Sequence, residues 1–160
     1  MKGIYLILVA GPQWDTRKDE LAAHQQRKME RLIEKLLPYR TSSQLLRSST
    51  HMAHHVCAAK ISEALHIHDH REDKRFDIDY KFKKRLEYVE KYLAAQTFAD
   101  CDEHQLVIFV ADNTITRDVA EYFDPKSPIL RHAGCDHCQA VVLEYTDHAF
   151  IIKEYLNLGE

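Results

Sequence analysis

Glycine and proline are scarce in this chain, four of each in 160 residues. That excludes collagen-like and Pro/Gly-rich disordered architectures. An excess of basic residues is also missing. Twenty-two Lys and Arg stand against twenty-five Asp and Glu, for a formal net charge of −3, which argues against a nucleic-acid binder. Long apolar runs are absent as well. The longest, Ile4 to Gly11, is far too short to cross a bilayer and lacks the flanks of a signal peptide, so a buried first strand is expected and no membrane association. Four scattered cysteines (Cys57, Cys101, Cys135, Cys138) do not make a disulfide scaffold, and a reducing cytoplasmic setting is expected. What remains is the composition of a soluble globular protein, 45% apolar and 29% charged, of a length that fits one domain, 1–160.

Histidine is abundant: eleven residues, gathered in "THMAHH" (50–55), "HIHDH" (66–70) and "HAGCDHC" (132–138).

The apolar pattern predicts an ordered series of elements. "GIYLILVAG" (3–11) reads as a strand covered on both faces and ended by Gly11-Pro12. Asp15 or Thr16 is placed to cap a helix carrying Leu21, Gln25, Met29, Leu32 and Leu36 at helical spacing, closed by Pro38. A short strand (43–49) and a helix (about 50–65) follow. Residues 66–83 are polar and read as a connection, with one exposed extended piece in which Phe76, Ile78, Tyr80 and Phe82 alternate. A helix over 84–96 bears Leu86, Val89, Tyr92 and Leu93. "HQLVIFVAD" (104–112) is a third strand and 115–123 a helix. Strands 138–146 and 149–156 surround a Thr146-Asp147-His148 turn. The order implies an α/β fold, a mostly parallel mixed sheet between two helix layers, closed by an antiparallel hairpin.

Three stretches, "IYLILVAG", "LLRSSTHMAHHVCAAKISEAL" and "VIFVADNTITRDVAEYF", together with the closing "GCDHCQAVVLEYTD", resemble the histidine phosphatase (phosphoglycerate mutase-like) superfamily, and in length its small SixA-type phosphohistidine phosphatases. The resemblance implies a three-layer α/β/α fold. It also implies a pocket at the strand ends where a histidine attacks phosphorus while two arginines and a second histidine hold the phosphoryl oxygens. In this sequence the first arginine and the nucleophile fall on Val9 and Ala10, with only Gly11 matching. The second arginine falls on Ala53, and the second histidine on Asp112, followed by a matching Asn113. Sliding the motifs recovers nothing. No Arg or His lies within 3–16, and no His within 105–131. Asp112 would also oppose a bound anion, by roughly 4 kcal/mol for like charges about 4 Å apart at an effective dielectric near 20. No catalytic residue is therefore assigned. Val9, Ala10, Gly11, Ala53, Asp112 and Asn113 are degenerate phosphate-pocket positions, and Trp14, His51 and His54 are candidates for its rim.

The expected role is that of a binding or regulatory pseudoenzyme with no cofactor, its partner a small ligand or a protein. Two alternatives stand beside it. One is a phosphohistidine or phosphomonoester phosphatase with a non-standard nucleophile such as His51 or His54. The other is a metal site built from His51 and His55, spaced i, i+4 on one helix, with Asp112. Cys135-x-x-Cys138 with His132 and His137 has metal or redox spacing but no completing pair, and reads as a loop with a buried Cys138. The resemblance also matches Arg117 to the arginine that begins the family's last helix and implies a structural part for it, with Asp118, Glu121 or the nearby loop as its partner.

Overall fold

The structure is a computed structural model that describes residues 3–77 and 85–159. Six strands form one sheet: β1 (Ile4–Ala10), β4 (Gln44–Ser48), β5 (His70–Glu72), β6 (Leu106–Ala111), β7 (Ala140–Thr146) and β8 (Ala149–Leu156), in the order β5-β4-β6-β1-β7-β8. β1, β4, β5 and β6 pair in parallel, and β7 pairs antiparallel to both β1 and β8. This is the α/β mixed sheet expected from the sequence.

Both faces of the sheet are covered, which is why its central strands are continuous apolar runs rather than alternating ones. On one side, Tyr5, Ile7 and Val9 of β1 share a core with Met29, Leu32 and Leu36 of α1 (Gln25–Leu36) and Cys57, Ile61 and Leu65 of α2 (Met52–Leu65). On the other side lie Leu6, Leu8 and Ala10. They share a core with Val89, Leu93 and Cys101 of the helical stretch α3 (Arg85–Tyr88), a π-turn (Val89–Leu93) and α4 (Ala94–Glu103), and with Ile115 and Val119 of α5 (Asn113–Phe123). The β7–β8 turn places Asp147 and His148 at φ 53° and 57°, the left-handed pair that a two-residue hairpin requires.

Three expectations change. The first helix does not start at Asp15 or Thr16. Residues Trp14–Asp15 (β2) and Glu20–Leu21 (β3) pair as a small antiparallel ribbon, and α1 begins at Gln25. The physical reason is local: the Asp15 carboxylate accepts the N–H groups of Arg17 (3.0 Å) and Lys18 (3.3 Å), which makes a turn instead of a cap. The polar connection contains β5, whose His70, Arg71 and Glu72 stand opposite Leu46, Arg47 and Ser48 of β4. It also contains Phe76, which is buried against Phe109, so this residue is core and not an exposed extended position. Ile78, Tyr80 and Phe82 lie outside the described residues. The third helix reaches Glu103 and buries Val89 and Leu93, while Leu86 and Tyr92 are exposed.

Candidate functional site

Parallel strands deliver their carboxyl ends to one edge of a sheet, and in open α/β folds ligands bind there. Here β1 delivers Gly11, β4 delivers Ser49 and Thr50, and β6 delivers Asp112. The ends are stitched together: Gly11 N–H donates to Ala111 O (2.9 Å), Ser49 N–H to Val110 O (3.1 Å) and Cys138 N–H to Ala10 O (2.9 Å). His137, from the "HAGCDHC" loop, donates its Nδ1–H to Gly11 O (2.9 Å), since a carbonyl only accepts.

The pocket positions singled out in the sequence lie on this edge or just inside it. Val9 and Ala10 are fully buried, on opposite faces of β1. Ala53 is buried in the first turn of α2. Asp112 is the N-cap of α5, and its Oδ1 accepts the N–H groups of Thr114 and Ile115, both at 3.0 Å. A carboxylate at that position serves two of the four unsatisfied donors of the helix and sits at the positive end of its dipole. Asn113 is exposed.

His54 fills the space between these ends. Its ring lies across Gly11 so closely that a Cβ at position 11 would collide with its Cδ2, so the close approach itself requires glycine. Ser49 Oγ and His54 Nδ1 are 2.5 Å apart. Ser49 is fully buried and its oxygen already accepts the His51 N–H (3.3 Å). A hydroxyl that also accepted from Nδ1 would leave its own proton unpaired, so Ser49 donates and His54 carries its proton on Nε2. That Nε2 has no hydrogen-bond partner among the described residues. Burial, reinforced by His51, pushes the His54 pKa down to about 4, against the opposing pull of Asp112 and Asp77. The ring is neutral near pH 7.

His51 is exposed and meets His54 edge-on, ring centroids 5.6 Å apart. His55 turns to β5, where it pairs with Glu72 (3.1 Å) and stacks on His70 (5.8 Å). Among the described residues no three His, Cys, Asp or Glu side chains are placed to hold a metal ion. Cys135 and Cys138 belong to the cores on opposite faces of the sheet, and burial raises their thiol pKa values to about 12 and about 11. Trp14 is half-buried on the β2–β3 ribbon, its Nε1–H donating to Asp19 (3.3 Å). Arg117 pairs with Asp118 at 3.2 Å.

Two participants carry no local sequence signal. His137 lies in a cluster whose spacing suggests metal binding, yet it acts as a clamp on Gly11. Asp77 lies in the polar connection and accepts the Thr50 N–H (2.7 Å) and the Thr50 hydroxyl.

No family model and no curated protein matches the sequence. Solved structures do match the fold. A protein of Agrobacterium tumefaciens assigned as the phosphohistidine phosphatase SixA superimposes with a TM-score of 0.63, at 17% identity over 98% of this chain and 99% of its own. An Escherichia coli K-12 protein assigned as an alpha-ribazole-5'-phosphate phosphatase gives 0.71, at 11% identity over 94% and 96%. The phosphoserine phosphatase of Entamoeba histolytica, in complex with 3-phosphoglyceric acid, gives 0.69, at 10% identity over 95% and 96%. The six-stranded sheet with its helix layers is thus similar to these phosphatase structures, and this chain has the histidine-phosphatase-like α/β fold.

Proposed function

We propose that this protein is a catalytically degenerate histidine-phosphatase fold whose cleft serves binding or regulation. The observation that carries the reading is Asp112. Where the fold's phosphatases are expected to hold the phosphoryl group, this chain places its own carboxylate on the first-turn N–H groups of α5. An entering phosphate would meet those donors already engaged and a like charge beside them. The remaining positions agree. Val9, Ala10 and Ala53 bring neither a nucleophile nor a guanidinium, and neutral His54 brings no positive charge.

Phosphoryl transfer needs preorganised positive charge around the transferred group. The cleft instead combines a neutral imidazole N–H with carboxylates, which suits uncharged or cation-bearing groups of a small molecule or protein at its centre. The test is hydrolysis of p-nitrophenyl phosphate and of phosphohistidine by the wild-type protein. No turnover above buffer is expected, with or without added divalent metal. Turnover that disappears in His54→Ala would overturn the reading in favour of a phosphatase with a different nucleophile.

A further inference from the structure

The two outer strands of the sheet are unequal. β5 is three polar residues long, whereas β8 has eight, with Ala149, Phe150, Ile151 and Ile152 in succession. Among the described residues no strand pairs with the outer side of β8. Its ladder to β7 sets Phe150 opposite Tyr145 and Ile152 opposite Leu143. The Ile152 N–H points away from β7, because it donates to Asp124 Oδ2 (2.8 Å). N–H groups two residues apart on a strand point the same way, so the main-chain groups of Phe150 and Ile152 face outward together. Ile151 between them is 60% exposed. A free edge of this kind is a template for another strand.

One side chain stands on that edge. Asp124 directly follows α5 and is held in place on several sides. Its N–H donates to Ala120 O (3.0 Å), its carbonyl accepts the Ser127 N–H (3.3 Å), and the neighbouring Phe123 packs on Phe150, ring centroids 4.4 Å apart. The loop it begins contains Pro125 and Pro128, which have no N–H to offer a strand. That loop returns to β8 at Arg131, whose N–H donates to the Tyr155 hydroxyl (3.0 Å).

We propose that the outer edge of β8 is a self-pairing surface for a second copy of this chain, and that Asp124 keeps it closed. In a twofold antiparallel pair the outward groups of Phe150 meet those of Ile152 when Ile151 sits on the axis. That register sets Phe150 against Ile152, Ile151 against its own copy and Ala149 against Lys153, with no like charges opposed. It stops at Lys153, the extra residue of a bulge that bends the strand. Pairing requires the Ile152 N–H of both copies to give up Asp124. With Asp124 in place an incoming carbonyl meets a carboxylate, acceptor against acceptor. The guard therefore acts twice in each pair. The proposal is independent of what the strand-end cleft binds.

The experiment uses the full chain as wild type, Asp124→Ala, Asp124→Asn and the double variant Asp124→Ala with Ile151→Lys. The readout is molar mass by light scattering behind size exclusion, over a concentration series. Asp124→Ala is expected to self-associate into a dimer at least about tenfold more tightly than wild type. Asp124→Asn keeps an acceptor on the Ile152 N–H and gains less. Ile151→Lys places like charges on the axis and returns the Ala variant to the wild-type state. Self-association of Asp124→Ala no tighter than that of wild type, or a dimer that survives Ile151→Lys, overturns the proposal. Amide hydrogen exchange on the wild-type protein decides the matter even where Asp124→Ala does not fold. The Ile152 N–H is expected to exchange at least about tenfold more slowly than the outward Phe150 N–H, and equal rates remove the guard.

Discussion

Two neighbouring places, one on β4 and one just beyond its end, bury polar groups in opposite ways. At Arg47, charge is kept and paired. The guanidinium grips Asp100 through Nε (2.7 Å) and Nη2 (3.0 Å) and reaches Asp73, and all three residues are buried. Just past the strand, where Ser49 meets His54 of α2, charge is removed. Burial holds the imidazole neutral, and a hydroxyl fixes its tautomer. Burying a charge is tolerable only with good partners, and a group without them gives up its proton instead. The molecule therefore has the means to hold a buried guanidinium, but uses it to brace the 73–77 segment against α4 and, among the described residues, supplies none at the cleft.

The comparison can be broken most forcefully at Arg47. Arg47→Ala leaves Asp100 buried without its cation, while Asp73 keeps Arg75, and a loss of about 3–5 kcal/mol is expected in urea unfolding. A loss below about 1 kcal/mol would mean that water enters the network and that the pairing contributes little.

The neutral side is sharpened by pH. His54 has a folded pKa of about 4 against about 6.5 when unfolded. Between those values the unfolded state binds more protons, so stability is fully present above pH 6.5 and falls as pH drops toward 4, by about 3 kcal/mol in total. His54→Gln removes this component, and the variant's stability is expected to fall less steeply than wild type's across that window. Parallel curves would show that the ring is already protonated in the fold.

A smaller effect is expected at Asp112. Asp112→Ala loses the N-cap of α5, at about 1 kcal/mol, while Asp112→Asn, an equally good cap, is expected to stay within a few tenths. A large loss in Asp112→Asn would show that charge, and not capping, is what matters there. The smallest effect on activity is expected from Ala10→His, even though a histidine at this fully buried position costs packing. Placing a histidine there, with no cations around it, yields no measurable hydrolysis of p-nitrophenyl phosphate, and a burst of phosphorylated protein on mixing would contradict the account of the cleft.

The central strands were readable because burial on both faces leaves a direct trace, as in "IYLILVA" and "LVIFVA". Asp112 was recognisable as an acidic residue at a strand end, and its capping role follows from its position before α5. His54 could be placed beside the cleft because it adjoins Ala53. Other features were not legible. β5 is a three-residue polar edge strand with no periodicity of its own, and only its neighbour β4 defines it. The β2–β3 ribbon depends on turn bonds from Asp15 that compete with a plausible helix cap. Asp77 meets Thr50 across 27 residues, a contact that only the folded chain creates.

The sheet also sorts the four cysteines. Cys57 and Cys138 belong to the core on the α1 and α2 side of the sheet, Cys101 and Cys135 to the core on the opposite side, and all four are buried with free thiols. Each layer thus carries two chemical reporters that react only when that layer opens. Alkylation counted by mass and located by peptide would time the loosening of the two halves separately, with no label introduced and no residue changed.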